Sequence, residues 1–383
     1  MSLIVERQDT ATPHESGQPL KIGMIAPPWF ELPPAGYGGT ETVVAGLVDQ
    51  LVDRGHEVTL VGSGRSRTRA QDFRPVYDTP PSHLLGSSVM PELVLAAEVG
   101  RIMDELDVDI VHDHSAAGPL LARHRRQPTV VTMHGPVAGE NGDYHRRLGS
   151  TVGIIAISDA QRRQAPELNW VGTVHNAIDV AAFPFREQKS DTVLWLGRFS
   201  PDKGAHVAIE TARRAGRKII LAGKLTEPSE KAYFDREVRP LLSHDAEYIG
   251  EADTHLKREL FANAACLLFP IQWEEPFGMV MAEALACGTP VIATRRGSVP
   301  EIVRHGENGF IADAADQLVE AVQRASEIDP HMCRNDAEQR FDLPVMAAGY
   351  ERIYRMLAEG TAEIRTMTGT ADASEPRRRS DRT

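Results

Sequence analysis

The feature that most narrows the fold is an alternation of short apolar runs with longer amphipathic stretches, which the chain goes through twice. In the first pass the runs are "KIGMIAP", "EVTLVG", "DIVH", "TVVTMHG" and "VGIIAIS", β-rich and mostly ending in Gly, His or Ser. Between the first two lies "GGTETVVAGLVDQLVDRGH". Its Val43, Val44, Leu47, Val48, Leu51 and Val52 recur every three to four positions, the spacing of a buried helix face. Strands that are apolar over nearly their whole length and alternate with helices predict a parallel sheet covered on both sides. The pattern lapses in "HNAIDVAAFPFREQKSD", which reads as a linker, and restarts with "TVLWLG", "RKIILAG", "AEYIG", "CLLFPI" and "TPVIAT". Two α/β sheets in tandem are expected. Ligands in such sheets bind beyond the carboxyl ends of the strands, so the two domains should face each other across a cleft.

At 383 residues the chain suits two domains. The expected division is a flexible arm over 1–20, a first domain over 21–185, a second over 186–343 and a disordered tail over 359–383. The periodic segment 344–358 presents Met346, Tyr350, Ile353, Tyr354 and Leu357 on one helical face, and could cap the second domain or cross back to the first. A net charge of −12, from 42 Lys+Arg against 54 Asp+Glu, argues against a nucleic-acid partner held by bulk positive field. The three cysteines, Cys266, Cys287 and Cys333, are odd in number and lack paired spacing, which predicts a reducing, cytoplasmic setting without disulfides or a Cys-based zinc site. No apolar run approaches the ~18–20 residues that span a bilayer. The start, "MSLIVERQDTATPHESGQP", lacks the basic and apolar regions of a secretory signal. The basic run Arg377–Arg379 could make a weak peripheral contact with anionic lipid, although a solvated tail is the plainer expectation. Oligomeric state is left open.

Several familiar motifs fail. "VGSGRSR" has Arg67 where a dinucleotide fingerprint needs its third glycine, and "LAGKL" lacks the rest of a P-loop. "VHDH" places His112 and His114 on one strand face, imaginable as a metal pair but more ordinary as strand-end polar groups. "DVD", at Asp107 to Asp109, looks like the D-x-D of metal-dependent sugar transferases but precedes a strand, and reads better as punctuation. No metal ion and no bound cofactor are expected.

Other motifs survive together, although each alone has a plain structural explanation. "LGRFSPDKG" puts Arg198 and Lys203 on a loop that opens a helix, which suits a multiply charged anion such as a diphosphate; a solvated loop would look the same. "YGGTE" sets Gly38 and Gly39 at a strand-to-helix turn, where bare backbone lets a phosphate approach or simply turns tightly. "TMHG" leaves His134 at a strand tip facing the expected cleft. In "WEEPFGMVMAEALACGTP", Pro276 and Gly278 break the chain before a helix whose first amides, at Gly278, Met279 and Val280, are free donors. Glu275 lies just before that helix and Glu283 about a turn and a half into it. Cations and amides for a diphosphate, with carboxylates for vicinal hydroxyls, describe a site for a nucleotide-sugar.

These residues carry a family resemblance. "PPAGYGGTETVVAGLVDQLVDRGHEVTL", "TMHG", "LGRFSPDKG", "EEPFGMVMAEALACGTPVIAT" and "RRGSVPEIVRHGENGF" resemble, in order and spacing, the retaining glycosyltransferases of family 4, the group 1 enzymes with the GT-B fold. The match runs from about Lys21 to Leu357. The seven residues between Glu275 and Glu283 select Glu275 over Glu274 for the paired-glutamate motif. The resemblance implies two tandem Rossmann-like domains and a last helix that crosses back to the first. It implies that Arg198 and Lys203 hold the donor diphosphate, that Glu283 holds the ribose hydroxyls, and that Glu275 and the following amides hold the donor sugar. It also puts His134 beside the reacting centre and brings Gly38 and Gly39 to the phosphates. Hexosyl transfer from a UDP- or GDP-sugar would proceed without metal and with retention. Base recognition falls near "YIGEAD". The acceptor, whether glycan, lipid or small polyol, is unnamed; its pocket should lie in the first domain near "HGPVAGENGDYHRR" and "AISDAQRR", where Arg146, Arg147 and Arg162 could meet an anion or form a solvated face. A nucleotide-sugar epimerase of the same plan and a non-catalytic sugar-nucleotide binder are the alternatives, both disfavoured by the intact set of motif residues.

Overall fold

The computed structural model describes residues 17–36 and 38–371, the side chains of 360–371 excepted. The arm up to position 16, Tyr37 and the tail from 372, with Arg377–Arg379, lie outside the described residues. Two all-parallel sheets form. The first contains β1 (Lys21–Ile25), β2 (Glu57–Ser63), β3 (Asp72–Tyr77), β4 (Ile110–Asp113), β5 (Thr129–Met133), β6 (Gly153–Ala156) and β7 (Trp170–Thr173), in the order β3-β2-β1-β4-β5-β6-β7. The second contains β8 (Val193–Leu196), β9 (Ile219–Ala222), β10 (Ala246–Tyr248), β11 (Cys266–Phe269), β12 (Val291–Thr294) and β13 (Gly309–Ala312), in the order β10-β9-β8-β11-β12-β13. Every ladder pairs in parallel, as strands joined through crossover helices must.

The central strands β4, β5 and β11 are buried along their whole length, which is why their sequences read as unbroken apolar runs. Three strands escaped the sequence pattern: β3, β7 and β13. All three are edges, with neighbours on one side only. In β3, "DFRPVY", Pro75 can be carried because an edge strand has no second ladder to donate to.

The last helix, Leu343–Ala371, continues past the expected end at 358 and into the segment expected to be disordered. No proline follows Pro344 until Pro376, and Ala362, Glu363, Arg365 and Met367 favour helix, so nothing in that stretch stops it. Its buried face joins the first sheet: Met346, Ala347, Tyr350, Ile353 and Tyr354 share one core with Ile22, Met24, Val44 and Leu47. Two glycines permit the approach. A Cβ on Gly46 would lie 2.7 Å from Leu343, and one on Gly172 would lie 2.6 Å from Ile353. Polar contacts fix the register. His112 Nδ1 meets the Tyr354 hydroxyl at 2.5 Å and His112 Nε2 meets Thr132 Oγ1 at 2.8 Å, while Thr132 also bonds Tyr350 at 3.0 Å. Residues at the start of the first domain are held as well, with Arg355 donating to the Gln18 carbonyl and Leu20 N donating to His56 Nδ1. Among the described residues no helix is long and apolar enough to cross a membrane, and Cys266, Cys287 and Cys333 are buried free thiols.

One carboxylate ties the two halves together. Glu301, just after β12, accepts the backbone amides of Asp159 (2.8 Å) and Ala160 (2.5 Å) at the start of the helix Asp159–Gln164, and also His175 Nε2 at 3.2 Å. It caps a helix of the first domain from the second. Burial opposes its charge, but the donors from His175, Asp159 and Ala160 outweigh burial and hold its pKa below the ordinary glutamate range. A depressed folded pKa contributes stability that is complete above the unfolded pKa and lost as pH falls through the folded one. Glu301→Ala should therefore lower unfolding stability by about 1–3 kcal/mol at neutral pH, read as a lower urea midpoint, and the difference from wild type should shrink as the pH drops below the ordinary glutamate range.

Candidate active site

Where the strand order of a parallel sheet reverses, the connections on the two sides run over opposite faces, and the loops part to leave a crevice. The second sheet reverses between β8 and β11, and the first between β1 and β4. Each reversal holds a cavity.

In the second domain, the chain leaving β8 passes through Arg198 and the turn Pro201–Lys203 into the helix Ala205–Arg214. The chain leaving β11 passes through Glu274 and Glu275 to Gly278, which is left-handed at φ 78° and starts the helix Met279–Ala286. The loop after β12 clamps that second segment. Ser298 N donates to the Glu275 carbonyl at 2.9 Å, Ser298 Oγ to the Phe277 carbonyl at 2.7 Å, and Gly297 N to Glu274 Oε2 at 2.7 Å. Gly297 is also left-handed, at φ 51°, and lies against the Glu274–Glu275 backbone with no room for a Cβ. The adjacent acids thus divide the work: Glu274 holds the loop, and Glu275 faces the crevice.

The crevice measures about 620 Å³, and its walls include Arg198, Lys203, Glu275, Gly278, Met279 and Val280. The amides that open a helix have no acceptor within it, so this wall offers donors and a partial positive field. Lys203 Nζ donates to the Glu275 carboxylate, which also accepts Trp273 Nε1 at 3.0 Å. The ammonium lies 5.1 Å from the centre of the Trp273 ring. Arg198 is exposed and, among the described residues, makes no ion pair. Glu283, on the second turn of the helix Met279–Ala286, is buried, and its Oε1 receives Lys257 Nζ at 2.6 Å. Lys257 and Lys224, which are on the wall, were missed in the sequence; a lysine in the first turn of a helix, as at 257, or in a loop after a strand, as at 224, has no pattern of its own. Glu251 and Asp253, from "YIGEAD", also line the crevice.

The first domain's cavity measures about 320 Å³. Gly38, Gly39 and Glu41 line it from the start of the helix Gly39–Asp53, His114 from the end of β4, His134 from the end of β5, and Glu92 from the helix Met90–Glu105. Gly38 and Gly39, expected at the phosphates, open here instead. Ala35 and Gly36 of the same loop line the second domain's crevice. The chain folds over Pro34, whose ring would lie 2.8 Å from a Cβ on Gly38, and this turns the two pairs to different sides. His134 Nε2 and His114 Nδ1 share a hydrogen bond of 2.8 Å. Burial lowers the pKa of both, His134 to about 4, so both imidazoles are neutral near pH 7. Burial pushes Glu41 up to about 7, against its own backbone amide, and Glu92 adds to the rise.

His112 and His114 do not converge on a common point: one bonds Tyr354 and Thr132, the other His134. Asp109 accepts the Lys21 amide at 2.8 Å and so marks the start of β1. Among the described residues no group of three or more His, Cys, Asp or Glu could hold a metal ion.

Comparison with known proteins follows the same two halves. The family described as "Glycosyltransferase Family 4" matches residues 37–182, and "Glycosyl transferases group 1" matches residues 180–340. The phosphatidyl-myo-inositol mannosyltransferase of Mycolicibacterium smegmatis is 26% identical over 393 residues, 93% of this chain and 98% of the relative. The N-acetyl-alpha-D-glucosaminyl L-malate synthase of Bacillus anthracis is 24% identical over 381 residues, 88% of this chain and 96% of the relative. Among solved structures, AviGT4, a glycosyltransferase involved in Avilamycin A biosynthesis, superposes with a TM-score of 0.68 at 28% identity and covers 89% of this chain and 99% of its own. HepE of Anabaena, solved with UDP and glucose, superposes at 0.65 with 20% identity over 90% of this chain and 100% of its own, a likeness of fold alone. With both family matches in sequence along two Rossmann-like sheets, the chain belongs to the group 1, family 4 glycosyltransferases of GT-B fold.

Proposed function

We propose that this glycosyltransferase moves a hexosyl group from a nucleotide-diphospho-sugar, UDP- or GDP-linked, to an acceptor hydroxyl, with retention of anomeric configuration and without a metal ion. The observation that carries the proposal is the β8/β11 crevice, where Arg198, Lys203 and the opening amides of the helix Met279–Ala286 converge on one wall. Fixed donors of that kind suit a diphosphate on which negative charge builds as it leaves. Two of the relatives are named for mannosyl and N-acetylglucosaminyl transfer, which supports a hexosyl group. By the same names they act on an inositol phospholipid and on malate, both hydroxyl compounds, which supports a hydroxyl acceptor.

Donor entry exchanges partners within the crevice. Lys203 turns from Glu275 to the diphosphate, and the released Glu275 carboxylate, with the Gly278–Val280 backbone, receives the hydroxyls of the donor sugar. Glu283 accepts the ribose hydroxyls at Oε2 while Lys257 holds Oε1. Ala35 and Gly36, rather than Gly38 and Gly39, close over the phosphates from the first domain. His134, with Nε2 engaged by His114, presents Nδ1 toward the sugar. The bond from the anomeric carbon to the diphosphate breaks as the acceptor oxygen bonds to that carbon on the same face, and the acceptor proton passes to the departing phosphate oxygen. Glu275 and His134 act on the group whose charge changes; Glu283 acts on the part that does not.

Titration with UDP and GDP tests the donor site. Arg198→Ala and Lys203→Ala should each weaken nucleoside diphosphate binding by about 10–150-fold, the equivalent of one charge-assisted contact of roughly 1.5–3 kcal/mol. Unchanged affinity in both variants would remove the diphosphate assignment. Because the leaving-group charge is met by side chains and amides, sugar transfer should continue at its full rate in EDTA; loss of turnover restored by Mg²⁺ or Mn²⁺ would contradict metal independence.

A further inference from the structure

The first domain's cavity holds acids and no base to match them. Among the described residues no Lys or Arg lines it, while Glu41 and Glu92 do. Three arginines of this domain have partners outside the cavity, while Arg147 is exposed to solvent. Arg146 pairs with Glu167 (2.6 Å) and Asp143 (2.8 Å), and Arg162 with Thr173 (3.2 Å) and Asp159 (3.9 Å). Arg125 is turned to the Gly118 carbonyl and to Asp113. The histidines add no charge. His114 and His134 are neutral, and His145 is spent on the Asn141 carbonyl with its pKa lowered by burial.

The two carboxylates differ in what they already hold. Glu92 accepts Trp29 Nε1 and the Ala116 amide, both at 2.9 Å, so it is satisfied from within. Glu41 is only 3% exposed, and among the described residues no other side chain donates to it. Its carboxylate faces the cavity. His114, which also lines the cavity, is 6% exposed, and its Nε2 is buried without a hydrogen-bond partner. Buried polar atoms without partners are uncommon unless a ligand supplies one.

We propose that the acceptor is a small polyol carrying no anionic group, and that Glu41 receives one of its hydroxyls, or an ammonium standing in a hydroxyl's place. The proposal rests on the reading of the chain as a transferase whose donor occupies the other crevice. An anionic acceptor would set its charge beside Glu92 and Glu41 with no lining cation to offset it, and Glu41, which burial already pushes up to about 7, would have to stay protonated; like-charge juxtaposition of this kind is how sites reject ligands. Of Arg146, Arg147 and Arg162, which could meet an anion or form a solvated face, the first two are exposed and the third is half-buried, and none lines the cavity.

Ligand-observed NMR on the full chain saturated with UDP or GDP tests this with two matched trios: glucose, glucosamine and glucuronate; and myo-inositol, an aminocyclitol and myo-inositol 1-phosphate. In at least one trio the neutral and amine members should bind, and the anionic member should bind at least about tenfold more weakly. Glu41→Gln should narrow that ratio. Its affinity for the nucleoside diphosphate, measured in the same samples, should match wild type and shows that the variant is folded. Equal or tighter binding of the anionic members to wild type would overturn the proposal, as would failure of every neutral and amine member to bind. An unchanged ratio in folded Glu41→Gln would overturn the role of Glu41. Absence of UDP and GDP binding would strike the donor reading instead, which keeps the two failures apart.

Discussion

The reversal of strand order in each sheet is the constraint on which the rest depends. Right-handed crossovers leave β8 and β11 on opposite faces of the second sheet, and β1 and β4 on opposite faces of the first. The loops must therefore part at those two places and no others. Everything chemically distinctive lies on the parted loops: Arg198 and Lys203 after β8, Glu275 after β11, Glu41 after β1, and His114 after β4. His134, after β5, leans into the first of these openings. The sheets are scaffolds whose apolar centres, such as β5 and β11, leave their carboxyl ends as the sites for polar groups.

The two openings are electrically unlike. The second-domain crevice has helix amides and the cations Arg198, Lys203, Lys224 and Lys257 beside the acids Glu251, Asp253 and Glu275, and within it Lys203 pairs with Glu275. A largely buried ammonium left without a partner would be costly, and so would a lone buried carboxylate, so the pair offsets the burial of both. The first-domain cavity has carboxylates and neutral imidazoles. On the proposed reading, the anionic donor belongs in the second-domain crevice and an uncharged acceptor in the first-domain cavity. Glu301, capping a first-domain helix from the second domain, ties the two domains together.

Much of this was legible in the sequence, and the misses have physical causes. Apolar continuity revealed the central strands, because burial on both faces removes the need for alternation; the edge strands β3 and β7 are only partly buried and carry mixed residues, while β13, buried but only four residues long, is too short to stand out. The helix starting at Met279 and its glutamates were visible because Pro276 and Gly278 punctuate the chain. What spacing could not show was direction. Gly38 and Gly39 belong to the first domain's cavity because the loop doubles back over Pro34, a fact of three dimensions. Glu283 is buried and paired with Lys257, a partner that sequence spacing does not announce. Glu274 looked idle beside its neighbour until Gly297, far along the chain, was seen to donate to it.

Residue-resolved amide hydrogen exchange, with and without saturating UDP or GDP, most directly tests whether a nucleoside diphosphate is held at the β8/β11 reversal. A diphosphate bound there takes the opening amides of the helix Met279–Ala286 as donors. Exchange should then slow at Gly278, Met279 and Val280 and along 197–204, with Gly38–Glu41 unaffected. Unchanged exchange at 278–280 under saturation, or slowing confined to Gly38–Glu41, would place the nucleotide elsewhere and contradict the assignment of the second domain as the donor site.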